Sequence, residues 1–254
     1  NRMDYMFNNC NKLEYINLPN LDLTSTTNIS YMFNRCSSLK NIAMINLNIS
    51  KIADYSYMFN DCTSLEYIDL SNFKCSNKQN KMDNMFNNCN KLKSINFSYL
   101  DISYTINSNK IFNSCNSLEK LILTNFQAYN TFNLSYMFSN LINLKYIDLS
   151  NFNGSSITNT MEGMFYNCHK LEKLYLPNLD FSFTTSIKDI FKGCYSLTSI
   201  NLYNLTTSYI NNFSNIFYDC DLKIIDLSNF KGSKVTNRMD YMFNNCNKLE
   251  YINL

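Results

Sequence analysis

The stretch NRMDYMFNNCNKLEYINL, residues 1–18, contains the pattern from which the fold can be predicted. This pattern, usually M-F-x-x-C, recurs along the whole chain. The pattern recurs every 26 or 27 residues, and its last copy, residues 237–254, is identical to the first. Its phenylalanine occupies Phe7, Phe33, Phe59, Phe86, Phe112, Phe138, Phe165, Phe191, Phe217 and Phe243. Repeats of this length indicate a solenoid in which each unit packs only on its neighbours.

Within one unit the spacing of apolar residues changes once. Met3, Met6, Phe7 and Cys10 follow the i, i+3, i+4, i+7 spacing of one helical face, which predicts a short helix. In residues 13–18 apolar and polar side chains alternate as in a strand. Each unit is therefore predicted to contain a short helix, a turn, a strand and a polar return loop. Nine such units and part of a tenth predict an α/β solenoid with one parallel β-sheet.

The spacing L-x-x-I-x-L resembles the leucine-rich repeat. The longer unit IDLSNFKGSKVTNRMDYMFNNCNKLEYINL, residues 225–254, is similar to the BspA-like branch of bacterial surface proteins and lipoproteins. This resemblance covers the whole chain and implies a right-handed superhelical solenoid, display at the cell surface or outside the cell, binding or adhesion, and no catalysis.

The chain departs from the common leucine-rich pattern by carrying an asparagine just before the last apolar residue of the unit. We predict that these amides form a ladder where the strand bends into the return loop. The positions are Asn20, Asn46, Asn72, Asn125, Asn151, Asn178, Asn204 and Asn229, with Tyr99 as the exception.

Composition excludes several classes of partner. Charged residues make up 17% of the chain and the net charge is +2, without a basic run that could follow a phosphate backbone, so no nucleic acid is expected. No stretch reaches the roughly 18 apolar residues of a membrane-spanning helix. The chain begins in the middle of the pattern, and we expect it to be a piece of a longer protein.

Nine of the ten cysteines share one repeat position, and Leu141 replaces the cysteine of the remaining unit. A position that accepts leucine is predicted to be buried, with free thiols packing as small apolar groups. The nine are Cys10, Cys36, Cys62, Cys89, Cys115, Cys168, Cys194, Cys220 and Cys246. Cys75 lies off this position and is predicted to be exposed. No close cysteine pair of the kind that binds metal is present, so neither metal nor cofactor is expected.

The single histidine, His169, follows Cys168 directly, and neighbours in sequence do not form the spatial pair that a cysteine nucleophile needs. A solvent-facing histidine is the favoured interpretation. With no phosphate-binding or dinucleotide-binding motif either, we predict that the protein is not an enzyme.

The position after the first strand leucine alternates in charge along the array. We predict that neighbouring units place opposite charges side by side and so fix the register, with a charged binding track as the alternative. The residues are Glu14, Lys40, Glu66, Lys93, Glu119, Lys145, Glu172, Thr198, Lys223 and Glu250.

The outward strand positions carry tyrosines beside charged and amide side chains. They are predicted to bind a host protein or a glycan, and an ordinary solvated sheet face is the equal alternative. The candidate binding residues are Tyr15, Tyr67, Asp69, Lys120, Tyr146, Asp148, Lys173, Tyr175 and Asp226. The chain also contains N-x-S/T triplets, which support glycosylation only weakly.

The sequence also repeats with a longer period of about three units. The sequence DLSNF begins at Asp69, Asp148 and Asp226, at intervals of 79 and 78 residues. We predict one continuous array, residues 1–254, made of three super-repeats followed by the first unit again at 237–254. The identical ends favour either tandem copies of a nine-unit block or an overlap along a fibre. Two functions follow: a structural protein that stacks end to end on itself in a surface filament, or a surface adhesin that binds its ligand on the strand face.

Overall fold

Strands are present at nine of the ten positions predicted after the M-F-x-x-C pattern, and Ser199 and Ile200 in the remaining unit are not in a strand. The helices predicted at that pattern are absent from the described residues. The computed structural model describes residues 2–18, 21–44, 47–70, 80–96, 105–123, 130–150, 157–176, 181–200, 202, 208–228, 230 and 237–253, and none of these residues is helical. The strands are β1 (Tyr15–Asn17), β2 (Asn41–Ala43), β3 (Tyr67–Asp69), β4 (Asn80–Lys81), β5 (Ser94–Asn96), β6 (Thr105–Asn107), β7 (Lys120–Ile122), β8 (Tyr146–Asp148), β9 (Asn159–Thr160), β10 (Lys173–Tyr175), β11 (Thr184–Ser186), β12 (Ile224–Asp226) and β13 (Tyr251–Asn253).

The predicted strands pair in parallel, each with its copy in a neighbouring repeat unit, which we call a rung. Ile16 pairs with Ile42, and Leu121 pairs with Ile147, so equivalent residues lie side by side. The middle residue of each strand points inward and its two neighbours point outward, as the alternation predicts. The sheet on this face is divided into the groups β1-β2, β3-β5, β7-β8-β10 and β12-β13.

Consecutive tight turns replace the predicted helix. Tyr5 and Asn9 have left-handed φ angles of 61° and 65°, and every rung has two such residues four positions apart. Left-handed residues cannot continue a right-handed helix. Alternate amides also bond outside their own rung, since the N–H groups of Tyr5 and Phe7 donate to the carbonyls of Ser30 and Met32. With these donors committed to the next rung, the i→i−4 bonds of a helix do not form.

The apolar pattern nevertheless marks the core correctly. Ile29, Met32, Phe33 and Cys36, which stand at the positions of Met3, Met6, Phe7 and Cys10, are completely buried. The ten repeat phenylalanines stack in one column, from Phe7 on Phe33, at 5.2 Å between centroids, to Phe217 on Phe243, at 5.5 Å. Burial of these rings between neighbouring rungs holds the array together.

A second parallel ladder runs along part of the segment predicted as a polar return loop. It contains the pairs β4-β6 and β9-β11, joined by single bridges such as Asn28 to Asp54. At this position the Oδ1 atoms of Asn28 and Asn133 accept the N–H groups of Ser30 and Ser135. These Asx turns give the N-x-S triplets at these sites a structural reason.

Seven repeat cysteines are buried, which confirms the core prediction for Cys36, Cys62, Cys89, Cys115, Cys168, Cys194 and Cys220. Cys10 is exposed and Cys246 is half-buried, because both belong to the outermost described rungs. Each thiol from Cys36 onward, with Leu141 interrupting the series, donates to the carbonyl oxygen of the phenylalanine in the preceding rung, as Cys62 does to Phe33 at 3.1 Å. Cys75 lies outside the described residues.

An asparagine ladder is present, although at a position that the sequence did not indicate. The side-chain amide of Asn60 donates to Asn34 Oδ1 at 2.8 Å, and Asn60 Oδ1 accepts from Asn87 at 2.7 Å. The same bonds link Asn8, Asn34, Asn60, Asn87, Asn113, Asn140 and Asn167. The predicted asparagine ladder before the last apolar residue of each unit falls outside the described residues.

Candidate functional site

The strand face is formed by the outward residues of β1, β2, β3, β5, β7, β8, β10, β12 and β13. It contains all nine predicted binding residues. Among its aromatic side chains Tyr15 is 58% exposed, Tyr67 44% and Tyr175 53%, so large apolar rings face the solvent. Ile122 and Ile224 are exposed beside them and add to this apolar surface. The alternation of the three-residue strands places these side chains outside, because the middle residue of each strand takes the inward position.

The register brings five of the nine predicted residues together. Tyr146 lies between Lys120 and Lys173 in one row, and Asp148 lies next to Tyr175 in the other. Tyr67 and Asp69 belong to the separate group β3-β5, while Tyr15 lies on β1 and Asp226 on β12. The predicted residues therefore form several clusters along the face.

Hydrogen bonds orient side chains in the cluster of five residues on β7, β8 and β10, which we call the central cluster. The Tyr146 hydroxyl donates to Asp148 Oδ2 at 3.2 Å, and the Lys120 ammonium lies 5.6 Å from the centre of the Tyr146 ring. The N–H of Ser150 donates to Asp148 Oδ1 at 2.8 Å, and this bond is the main cause that lowers the pKa of Asp148. The carboxylate is thus kept charged and oriented across the strand ends.

The alternating charge column forms three ion pairs. Glu14 binds Lys40 and Glu66 binds Lys93, each at 2.7 Å, while Glu119 and Lys145 are 3.5 Å apart. The bond from lysine is the main cause that lowers the pKa of Glu14 and of Glu66. Each glutamate pairs with the lysine of the following rung inside one strand group, so the predicted pairing is confirmed for these three steps only.

A cleft that sequence reasoning missed lies on the strand face between β5 and β7. It has a volume of about 480 Å³ and is lined by Lys93, Ser94, Ser117, Glu119, Lys120 and Ile122. Only Lys120 belongs to the predicted binding set. The small side chain of Ser94, in a row that has Tyr67 and Tyr146 nearby, is the one sequence signal that could have indicated it.

The described residues contain no group of three side chains able to hold a metal ion. His169, which was predicted to face the solvent, is half-buried with its ring 4.9 Å from that of Tyr195. Within the same ranges no helix is long and apolar enough to cross a membrane.

Parallel strands repeated at a fixed interval, with one residue of each turned into a continuous apolar core, define a leucine-rich-repeat type of solenoid. The chain belongs to the family described as "Mycoplasma protein of unknown function, DUF285", whose sequence model matches residues 1–126 and 131–252. The sequence model described as "BspA type Leucine rich repeat region (6 copies)" matches residues 72–189, which confirms the BspA-like resemblance.

Comparison with solved structures matches the chain to leucine-rich repeat proteins at low identity and low TM-score. One is a leucine-rich cell surface protein from Faecalibacterium prausnitzii A2-165, with 17% identity, covering 89% of this chain and 76% of that one, and a TM-score of 0.36. The other is a leucine-rich repeat protein from Bacteroides ovatus ATCC 8483, with 18% identity, 99% and 75% coverage, and a TM-score of 0.32. No curated protein sequence matches the chain.

Proposed function

We propose that this chain is a non-enzymatic structural repeat protein of the cell surface, whose rungs stack end to end to form or decorate a filament. The observation that carries the proposal is the fixed direction of the hydrogen bonds between rungs on the turn side. Met3, Tyr5, Phe7 and Asn9 donate their N–H groups to the carbonyls of Asn28, Ser30, Met32 and Asn34 in the next rung, and later rungs repeat this arrangement.

This direction makes the two edges of any array of such rungs unlike. One edge presents a row of N–H donors and the other a row of carbonyl acceptors, so donors meet acceptors only when two arrays stack head to tail. A contact that joins unlike surfaces does not close on itself and continues as a fibre. The surface between two rungs is apolar, since Met58 and Phe59, which have a rung on either side, are completely buried.

Electron microscopy and analytical ultracentrifugation of the 254-residue chain test the proposal. Fibres or linear oligomers with rungs continuing across each junction are expected. Met239→Asp places a carboxylate on the rung edge and should shift the chain toward monomer. Tyr209→Asp, at an exposed side chain away from that edge, is the matched control and should leave assembly unchanged. Monomers at all concentrations, or equal effects of both variants, would contradict end-to-end stacking.

A second candidate function, a surface adhesin that binds a ligand on its strand face, is supported by the exposed aromatic side chains there. Tyr15, Tyr67 and Tyr175 keep large ring areas in water, and clustered exposed apolar groups are typical of interaction sites. Stacking and adhesion use different surfaces of the rung, so one protein can do both.

A further inference from the structure

We propose that the cleft between β5 and β7 is a binding site for an uncharged oligosaccharide, an inference that rests on the second candidate function. The cleft follows from an interruption of the strand face. β5 pairs with β3 and β7 pairs with β8, but no strand pairing joins β5 to β7 in the described part of the chain.

The two rungs separate on the strand side only. Opposite the strands they stay in contact, since the rings of Phe86 and Phe112 stack at 6.0 Å, the widest spacing of the column, and the Asn88 N–H donates to the Asn113 carbonyl at 2.9 Å. Beside the cleft the Ser117 hydroxyl donates to the Asn90 carbonyl at 2.7 Å. The result is an open notch whose volume of about 480 Å³ falls in the range of small-molecule sites, roughly 300–1,000 Å³.

This spacing argues against a peptide strand inserted between the two rungs. An inserted strand needs two strand spacings, about 9.6 Å, between β5 and β7. The Ser117 hydroxyl binds the Asn90 carbonyl three residues before β7 begins, and this bond would have to break for such an insertion. A ligand must therefore lie in the notch and bind through side chains.

The charges favour a neutral ligand. The Lys93 ammonium already binds Glu66 at 2.7 Å, and Glu119 already faces Lys145 at 3.5 Å. Lys120, the third charged group on the wall, acts on Asp148, since its charge adds to the Ser150 bond in lowering the pKa of that carboxyl. Each charge of the cleft therefore has an opposite charge near it. Sugar hydroxyl groups can accept from the two lysines and donate to Glu119 or Ser94, which are the polar groups on the wall.

Aromatic rings flank the notch on both sides. Tyr67 is in register with Ser94 on one side, and Tyr146 is in register with Lys120 on the other. Ile122 on the wall of the notch and Tyr67 beside it are both exposed, so the notch combines apolar surface with the polar groups of its wall. A pyranose ring, with apolar C–H faces and a rim of hydroxyl groups, matches this combination.

Calorimetry and amide NMR shifts with maltotetraose, cellotetraose and tetra-N-acetylchitotetraose test the proposal, with tetragalacturonate as the charged comparison. At least one uncharged tetrasaccharide should bind and shift the amides of residues 93–96 and 117–122. Ser94→Tyr fills the notch with a side chain that Tyr67 and Tyr146 show to be tolerated in this row. It should weaken binding by about tenfold or more, because the polar groups become blocked.

Ser199→Tyr is the matched control, since it makes the same change at the same repeat position away from the cleft, and it should keep the wild-type affinity. Equal urea midpoints of the two variants verify folding. Absence of binding by all three sugars, or binding of tetragalacturonate alone, would overturn the site. Equal binding by wild type and Ser94→Tyr would also overturn it, while leaving adhesion elsewhere on the strand face. Microscopy of filaments tests the structural proposal independently.

Discussion

The Sγ atom of Cys62 donates to the carbonyl oxygen of Phe33 at 3.1 Å, and the same oxygen accepts the N–H of Cys36 at 3.1 Å. One buried carbonyl is thereby bonded within its own rung and by the thiol of the next one. The repeat cysteine is thus a polar link between rungs as well as a packing group.

Cys62→Ala should destabilise the array by about 1–2 kcal/mol, because it removes this bond and leaves a small cavity in a close-packed core. Urea unfolding followed by circular dichroism measures the change. Cys10→Ala removes the exposed thiol of the same column and should leave the midpoint unchanged. Similar losses for both variants would contradict a core role for Cys62.

Alkaline pH should destabilise the protein. Burial raises the thiol pKa of Cys36 to about 11 and of Cys168 to about 12, from an ordinary value of 9.0, and also raises those of Cys62 and Cys194. A raised pKa in the folded state gives stability that is complete below pH 9 and is lost as pH rises toward 11, because unfolded thiols ionise first. The urea midpoint should therefore fall between pH 9 and pH 11, in wild type and in Cys10→Ala alike. A midpoint that stays constant or rises would refute this.

Asn60→Ala should cost about 2 kcal/mol, since it leaves Asn34 Oδ1 and the Asn87 amide without their ladder partner at nearly buried positions. Lys248→Ala removes an exposed bond to Asp221 at a residue outside the left-handed set and should change stability by less than about 0.5 kcal/mol. Thermal or urea unfolding of both variants compares them directly. A loss no greater at Asn60 than at Lys248 would show that the ladder is not stabilising.

Ser114→Gly should stabilise the protein by about 0.5–1 kcal/mol, whereas Ser114→Ala should destabilise it. Ser114 has a φ of 60°, which glycine adopts without steric cost. Gly163 and Gly193 have φ angles of 56° and 76° in the corresponding turns of other rungs. In a helix the alanine variant would be the more stable of the two, because alanine is favoured over glycine there by about 1 kcal/mol. The urea midpoints of Ser114→Gly and Ser114→Ala therefore distinguish a turn from a helix. Ser196→Gly, at a residue outside the left-handed set, is the control and should be destabilising.

Ser108→Ile should stabilise the array by about 1 kcal/mol, because it replaces a buried hydroxyl that makes no hydrogen bond among the described residues with an apolar side chain. Ser108 is fully buried, its hydroxyl has no hydrogen-bond partner among the described residues, and Ile29 and Leu134 occupy the same repeat position. The reverse change, Leu134→Ser, should destabilise by about 3 kcal/mol. Differential scanning calorimetry of both variants measures the two shifts, and a lowered melting temperature for Ser108→Ile would contradict the interpretation.

The repeat length, the inward residues and the outward strand positions could all be predicted from the amino-acid sequence. The period and the alternation depend only on which side chains are apolar, so Phe33, Cys36 and Ile68 could be assigned to the core without coordinates. The same reasoning placed Tyr67 and Lys120 on the strand face.

The tight turns of the M-F-x-x-C segment and the cleft between β5 and β7 became known from the three-dimensional structure alone. Tight turns and a two-turn helix bury the same i, i+3, i+4, i+7 positions, and the choice between them depends on amides that bond to the next rung instead of their own. The interruption between β5 and β7 likewise arises from contacts between rungs. Such contacts join residues about one repeat apart, so a pattern read within one repeat cannot contain them.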